Sequence, residues 1–248
     1  MKNLTLIFYI TLLVGAITTQ SAAQDRQVDE VLYEAYLTKN MNLWEKGVSM
    51  STEDYEQNPG DASLMNLSLT QYGLLNATII DKDEDLFDKY EDDTIDNIEK
   101  LIKKDKKQGE PKAILSSIYG LKMAYSPWKG IFLGSKSNNL ISEATRLSKK
   151  SAIVWKLYGN SKLYTPENFG GDKVEAAEAF EKAIELYENS PESIKNNWIY
   201  LDALAHLGIT YMKLDKPDKA RGAFEKALKA EPNFYWVKDV LLPQLDKS

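Results

Sequence analysis

The sequence predicts an all-α chain: a solenoid of antiparallel helix hairpins closed by one further helix at its C-terminal end. Three observations carry that prediction. Apolar residues recur at three- and four-residue spacing after residue 24, with no strand-type alternation. Glycine and proline are sparse over the same stretch. Similar helix pairs follow one another along the chain, with small side chains at corresponding places.

The N-terminal segment stands outside that array. Lys2 precedes the apolar run LTLIFYITLLVGAITT, and the small residues of SAAQ follow. This order reads as a secretory signal peptide, 1–23, cut after Ala23 or one residue later. The apolar run is short against the ~20 residues of a bilayer span. An exported chain, periplasmic or secreted from a Gram-negative bacterium, is therefore expected, with no stable membrane insertion after cleavage. The sequence has no cysteine, so it offers no lipoprotein attachment site and no disulfide. Its formal net charge of −6 argues against nucleic acid, which calls for clustered Lys and Arg, and against adhesion to anionic lipid.

Residues 24–248 read as a single domain without a linker, because the charge run at 81–93 and the Gly/Pro/Ser-rich stretch at 126–139 both fall inside hairpins. Residues 26–57 form a degenerate first pair. Residues 61–107 form a weak second pair, with Gly73 in SLMNLSLTQYGLLNATII. The third, 111–150, starts at Pro111 and has Gly120 in the same small slot. Its second helix, NNLISEATRLSKK, is expected only after a long inserted loop, PWKGIFLGSKS. The fourth, 151–191, carries Trp155 and Gly159 on its first helix and Ala176, Phe180 and Ala183 on its second. A surplus of about five residues falls in its TPENFGG loop. The fifth, 201–234, is the clearest. Leu204, Leu207, Gly208 and Tyr211 share one helix; Ala220, Phe224 and Ala227 share the next. Gly208 and Ala220 are small where two antiparallel helices approach, and Tyr211 and Phe224 fill the wider gap beside them. Pro217 fits a first helical turn, where its missing N–H costs nothing. The stretch NFYWVKDVLLPQL reads as the closing helix. The spacing in 201–234 resembles the tetratricopeptide repeat (TPR), whose helix pairs bury their apolar faces only by stacking on neighbours.

Three motifs hint at chemistry, and each has a plainer account. Gly170-Gly171-Asp172 precedes a helix, as phosphate loops do. However, Asp172 with Glu175 three residues on makes a capping box, and the aspartate would repel a phosphate. Asp81, Asp83 and Asp85 alternate as in a calcium loop, but Leu86 and Asp92 stand where that loop needs Gly and Glu. His206 is the sole histidine and sits in mid-helix, whereas a zinc site needs several nitrogen or sulfur donors. No catalytic residue, cofactor or metal is assigned, and the chain reads as a non-enzyme.

Surface recognition remains. In stacked hairpins the first helices line a concave groove. The slots facing it include Tyr125 on the third pair, Lys156, Asn160 and Tyr164 on the fourth, and Asp202, Ile209 and Met212 on the fifth. This mixed apolar and aromatic lining suits an apolar peptide or a hydrophobic small molecule better than an acidic tail, which would ask for several Lys or Arg. The two insertions add Trp128 and Phe132, and Phe169, side by side along one edge. They are expected to fold onto the array as a local cap that overhangs the groove.

With these residues in view, the chain from about 40 to 245 resembles a set of exported TPR proteins of Bacteroidetes. The resemblance is carried by SPWKGIFLGSKSN, GNSKLYTPENFGGD, NWIYLDALAHLG and EPNFYWVKDVLLP. It implies fold and compartment rather than chemistry. The repeat array with its FGGD turn is similar, more loosely, to the T component of TRAP transporters. That resemblance implies a hydrophobic ligand beside a transporter, although the lipoprotein cysteine common there is missing. The expected function is thus an exported scaffold for a protein or peptide partner. An accessory that binds a hydrophobic small molecule is the alternative.

Overall fold

The computed structural model describes residues 26–247; the expected signal peptide, 1–23, lies outside them. Among the described residues there are helices and no strand. Five hairpins follow in order: α1 (26–38) with α2 (Met41–Gln57), α3 (Asp61–Asp81) with α4 (Glu84–Lys104), α5 (Gly109–Tyr125) with α6 (Gly130–Leu147), α7 (Ala152–Tyr164) with α8 (Lys173–Glu188), and α9 (Trp198–Lys213) with α10 (Pro217–Ala230). A π-helical turn, Trp236–Leu241, runs into α11 (Leu242–Leu245) and buries Phe234, Val237, Leu241 and Leu245 against the last hairpin. The chain is an α-solenoid of TPR-like hairpins with a C-terminal capping helix.

Small residues set the hairpin spacing. A Cβ on Gly208 would lie 2.1 Å from the Phe224 ring, and one on Gly159 would lie 2.8 Å from Phe180. The third hairpin does this differently. Gly120 has open space around it, and the close approach falls one turn away, where Ser116 and Ser137 each donate a hydroxyl to the other's backbone carbonyl at 2.9 Å. Turns between first and second helices reverse the chain through one left-handed residue: Lys39, Lys82, Asp215, or Gly170 with φ 96°.

The α5–α6 connection corrects the sequence reading. The inserted stretch is not a loop. Pro127 opens a single 3₁₀ turn, Pro127–Lys129, and the chain continues as α6 from Gly130, eight residues before Asn138. Two glycines made GIFLGSKS read as a loop, yet nothing in it blocks a helix once proline has set the first turn.

The ends of the array meet. Tyr36 of α1 packs between Trp198 (5.7 Å) and Phe234 (5.5 Å), and its hydroxyl donates to Asp202 Oδ1 at 2.9 Å. Trp44 of α2 meets Trp198 edge-on at 5.2 Å, Tyr33 donates to Glu231, and Lys39 lies over the Tyr235 ring. The first helices therefore converge on one another, and the concave side is filled with side chains.

Candidate interaction surface

At the centre of the closed array sits a buried polar cluster. Lys156 of α7 and Asp202 of α9 are 0% and 2% exposed, and Lys156 Nζ lies 2.6 Å from Asp202 Oδ2. The other carboxylate oxygen accepts from Tyr36 and lies 3.3 Å from His206 Nδ1. That nitrogen donates to the Asp202 backbone carbonyl at 2.8 Å, one helical turn back. Burial alone would raise the Asp202 carboxyl, but the His206 ring and the Lys156 ammonium outweigh it and hold the group well below the usual carboxylate range. Burial likewise pulls Lys156 down, and Asp202 with Tyr72 more than restores it, so the ammonium titrates above its ordinary value. Burial and the Asp202 charge push the Tyr36 phenol up, so it stays a donor. The His206 ring is walled by Tyr164, Phe180 and Trp236 at 5.7–5.9 Å.

This corrects the groove placement of Lys156 and Asp202. Both occupy first-helix slots on the concave side, but α1 and the neighbouring first helices seal that side, and the two charges pair with each other instead of facing a partner, close enough for an ion pair but without hydrogen-bond geometry between Lys156 Nζ and Asp202 Oδ2. Tyr125 is half-buried against the Phe87 ring at 4.8 Å and donates to Thr78 Oγ1 at 2.9 Å. Asn160, Ile209 and Met212 are half-buried as well, and Asn160 Oδ1 is buried without a hydrogen-bond partner.

The edge formed by the turns is different. Nine large hydrophobic side chains are exposed among the described residues. Seven of them lie where a first helix turns into a second: Ile80 at α3–α4; Trp128, Ile131 and Phe132 at α5–α6; Tyr164, Phe169 and Val174 at α7–α8. Ile131 is 81% exposed and Trp128 is 64% exposed. The expected cap is thus not folded down; Trp128 and Phe132 stay mostly exposed, and their rings meet each other edge-on at 6.4 Å. Tyr125–Thr78 ties the second turn to the first, and Asn138 Nδ2, which donates to the Phe169 carbonyl at 3.4 Å, ties it to the third. Ile80 and Val174 were not singled out in the sequence, where each reads as one more apolar helical position.

The 165–172 turn spends its own polar groups. Gly170 N–H donates to the Glu167 carbonyl, Gly171 N–H to that of Pro166, and Asp172 N–H to that of Lys162. A Cβ on Gly171 would lie 1.8 Å from the Thr165 carbonyl oxygen, so the residue allows a close backbone approach. Asp172 caps α8, accepting from Val174 N–H and Glu175 N–H at 2.8 and 3.0 Å. The reciprocal half of the capping box is absent: Glu175 pairs with Lys162 and accepts from Tyr158. At the other acidic motif, Asp83 caps α4 through Leu86 N–H. Among the described residues no group of three or more His, Asp or Glu is placed to hold a metal, and no helix is long and apolar enough to cross a membrane. Clefts of about 500 and 330 Å³ open at Glu110–Ser148 and Glu181–Lys226, away from the exposed edge.

Comparison with known proteins agrees with this architecture. Residues 201–234 match the family model for the tetratricopeptide repeat. The chain is similar in structure to a thermophilic TPR protein of Thermus thermophilus, at 16% identity over 90% of this chain and 100% of that one, with a TM-score of 0.58. It is similar also to the HusA haemophore from Porphyromonas gingivalis, at 16% identity over 76% of this chain and 93% of that one, with the same TM-score of 0.58. At such identities the likeness is one of fold. No curated protein sequence matches the chain.

Proposed function

We propose that this chain is an exported, non-enzymatic scaffold that binds a protein partner through the turn edge rather than through a concave groove. One observation carries the reading: seven of the nine large hydrophobics exposed among the described residues lie at the turns of three consecutive hairpins. Scattered apolar residues on a surface are ordinary, whereas a contiguous group marks an interaction site. The TPR fold supports a scaffold, since stacked hairpins present extended surfaces and rigidly space their turns. Trp, Tyr and Phe supply the anchors that interfaces use most.

A photo-crosslinking residue at Phe132, compared with one at Glu178 on the outer face of α8, tests this in the cells that make the protein. A discrete crosslinked partner at 132 and none at 178 is the expected outcome. The same crosslinking pattern at both positions would refute it. Export is tested by N-terminal sequencing of the recovered protein, which should begin at Gln24 or Asp25.

A further inference from the structure

We propose a second docking surface, at the opposite edge of the array, for an acidic, extended segment of a partner protein. That edge is made by the turns that lead from one hairpin to the next, and two of them are joined. Gly109 N–H, at the start of α5, donates to Ser148 Oγ at 3.1 Å, and Ser151 Oγ donates to Glu110 Oε1 at 2.6 Å. Ser151 N–H donates to the Ser148 carbonyl at 3.0 Å, and Trp155 Nε1–H to that of Lys149 at 2.9 Å. The α4–α5 and α6–α7 turns therefore hold each other, and the side chains they carry start from fixed backbone.

Those side chains are basic. Lys106 and Lys107 come from one turn, Arg146, Lys149 and Lys150 from the other, and all five are exposed. None of the five forms an ion pair among the described residues, whereas Lys104 and Lys112 nearby hold Asp61 and Glu143. The carboxylates in these turns are engaged: Asp105 accepts from Lys107 N–H at 2.8 Å, and Glu110 accepts from Ser151. In a chain of formal net charge −6 this is a local reversal of sign. Arg146, in the last turn of α6, complements the helix dipole. The four lysines do not: they stand between helices, just ahead of the N-termini of α5 and α7, where the dipole disfavours cations. Their placement is unfavourable for the chain alone and favourable for an anion laid across it.

Shape selects the kind of anion. Arg146, Lys149 and Lys150 line a cleft of about 500 Å³ that runs to Glu110 and Ser151. A carboxylate side chain enters such a cleft, and a flat bilayer does not. The remaining surface is acidic on balance, so a broad polyanion meets repulsion around the patch. A narrow peptide meets only the cations, because exposed charges more than about 10 Å away are screened. The several Lys and Arg that an acidic segment asks for are missing from the concave side and are gathered here instead. The protein would thus join two partners, an apolar one at the first edge and an acidic one at the second.

Fluorescence anisotropy tests this with a labelled glutamate oligomer, about twelve residues and so up to about 40 Å long when extended. Binding at about 100 µM or tighter is expected at low salt, and it should weaken as NaCl rises through about 0.2 M. Lys149→Glu with Lys150→Glu should weaken it by roughly tenfold or more. Lys136→Glu with Lys216→Glu makes the same change of net charge elsewhere on the surface and should weaken it by less than about twofold. No binding, or an equal loss in both variants, overturns the proposal. So does tighter binding, lost with Lys149 and Lys150, of phosphatidylglycerol vesicles or a single-stranded oligonucleotide, which would assign the patch to lipid or nucleic acid. The residue-132 crosslink reads the other edge: a partner captured there with no glutamate binding here refutes this surface alone.

Discussion

Changing Asp202 to asparagine keeps the shape of the side chain and removes its charge, which isolates what the central ion pair does. Lys156 is then a fully buried ammonium whose counter-charge at 2.6 Å is gone. Breaking a buried pair from one side costs about 3–5 kcal/mol, a large share of the ~5–15 kcal/mol that holds a domain together. For a chain of this size each kcal/mol moves Tm by about 2–4 °C, so a fall of roughly 6–20 °C is expected by calorimetry. The pH dependence gives a second readout. In the wild type, Asp202 is held below and Lys156 above their ordinary values. The Asp202 contribution is present above the unfolded carboxylate pKa and is lost only as pH falls through its lowered folded value. The Lys156 contribution is present below the unfolded lysine pKa and is lost only as pH rises through its raised folded value. The pair thus adds no slope between about pH 5 and 9. In the variant, burial is unopposed by Asp202 and depresses Lys156; the unfolded chain then binds the extra proton, and stability climbs from about pH 7 towards 10. Adding Lys156→Met removes the stranded charge and should recover about 2 kcal/mol or more of the loss while flattening the pH slope. A Tm change under about 2 °C, or a double variant that loses the sum of both singles, would refute this account of the centre.

Gly208→Ala should lower stability by about 1–3 kcal/mol, because its Cβ would meet the buried Phe224 ring. Gly222→Ala, in α10 with nothing near a Cβ, should raise it by about 0.5–1 kcal/mol in urea melts. Asp172→Ala frees two N–H groups at the start of α8 and should cost about 1 kcal/mol, visible as faster amide exchange in the first turn of that helix. Trp128→Ser with Phe132→Ser should leave the urea midpoint of the monomer within about 0.5 kcal/mol of wild type, since both rings are already in water.

The fold class was legible because the last two hairpins announce themselves locally: a glycine where helices touch, an aromatic ring beside it, a proline or cap at the start of the second helix. The same locality limited the reading of the surface. Periodicity puts Lys156 and Asp202 on the inner faces of α7 and α9, but it does not say how far the array curves, since curvature accumulates from small rotations between repeats. Tyr36 and Asp202 are 166 residues apart and lie in helices whose own patterns are ordinary. The extension of α6 was missed for the opposite reason. Gly130 and Gly134 carry a loop signal, but neither has a neighbour that would oblige it to be glycine, and the helix simply runs through them.

Closure changes where recognition can occur. An open solenoid offers its first helices to a ligand; here their aromatic rings and their fully buried ion pair are spent on α1 and on each other. A ligand entering that centre would have to displace Tyr36 from Asp202 and expose Trp198 and Phe234, repaying both a hydrogen bond and the burial of two large rings. The turn edge asks for no such exchange. Trp128, Ile131 and Phe132 are already exposed and already positioned on a helix start, so covering them gains burial without first breaking any packing, and binding energy is accordingly available at the edge and not at the centre.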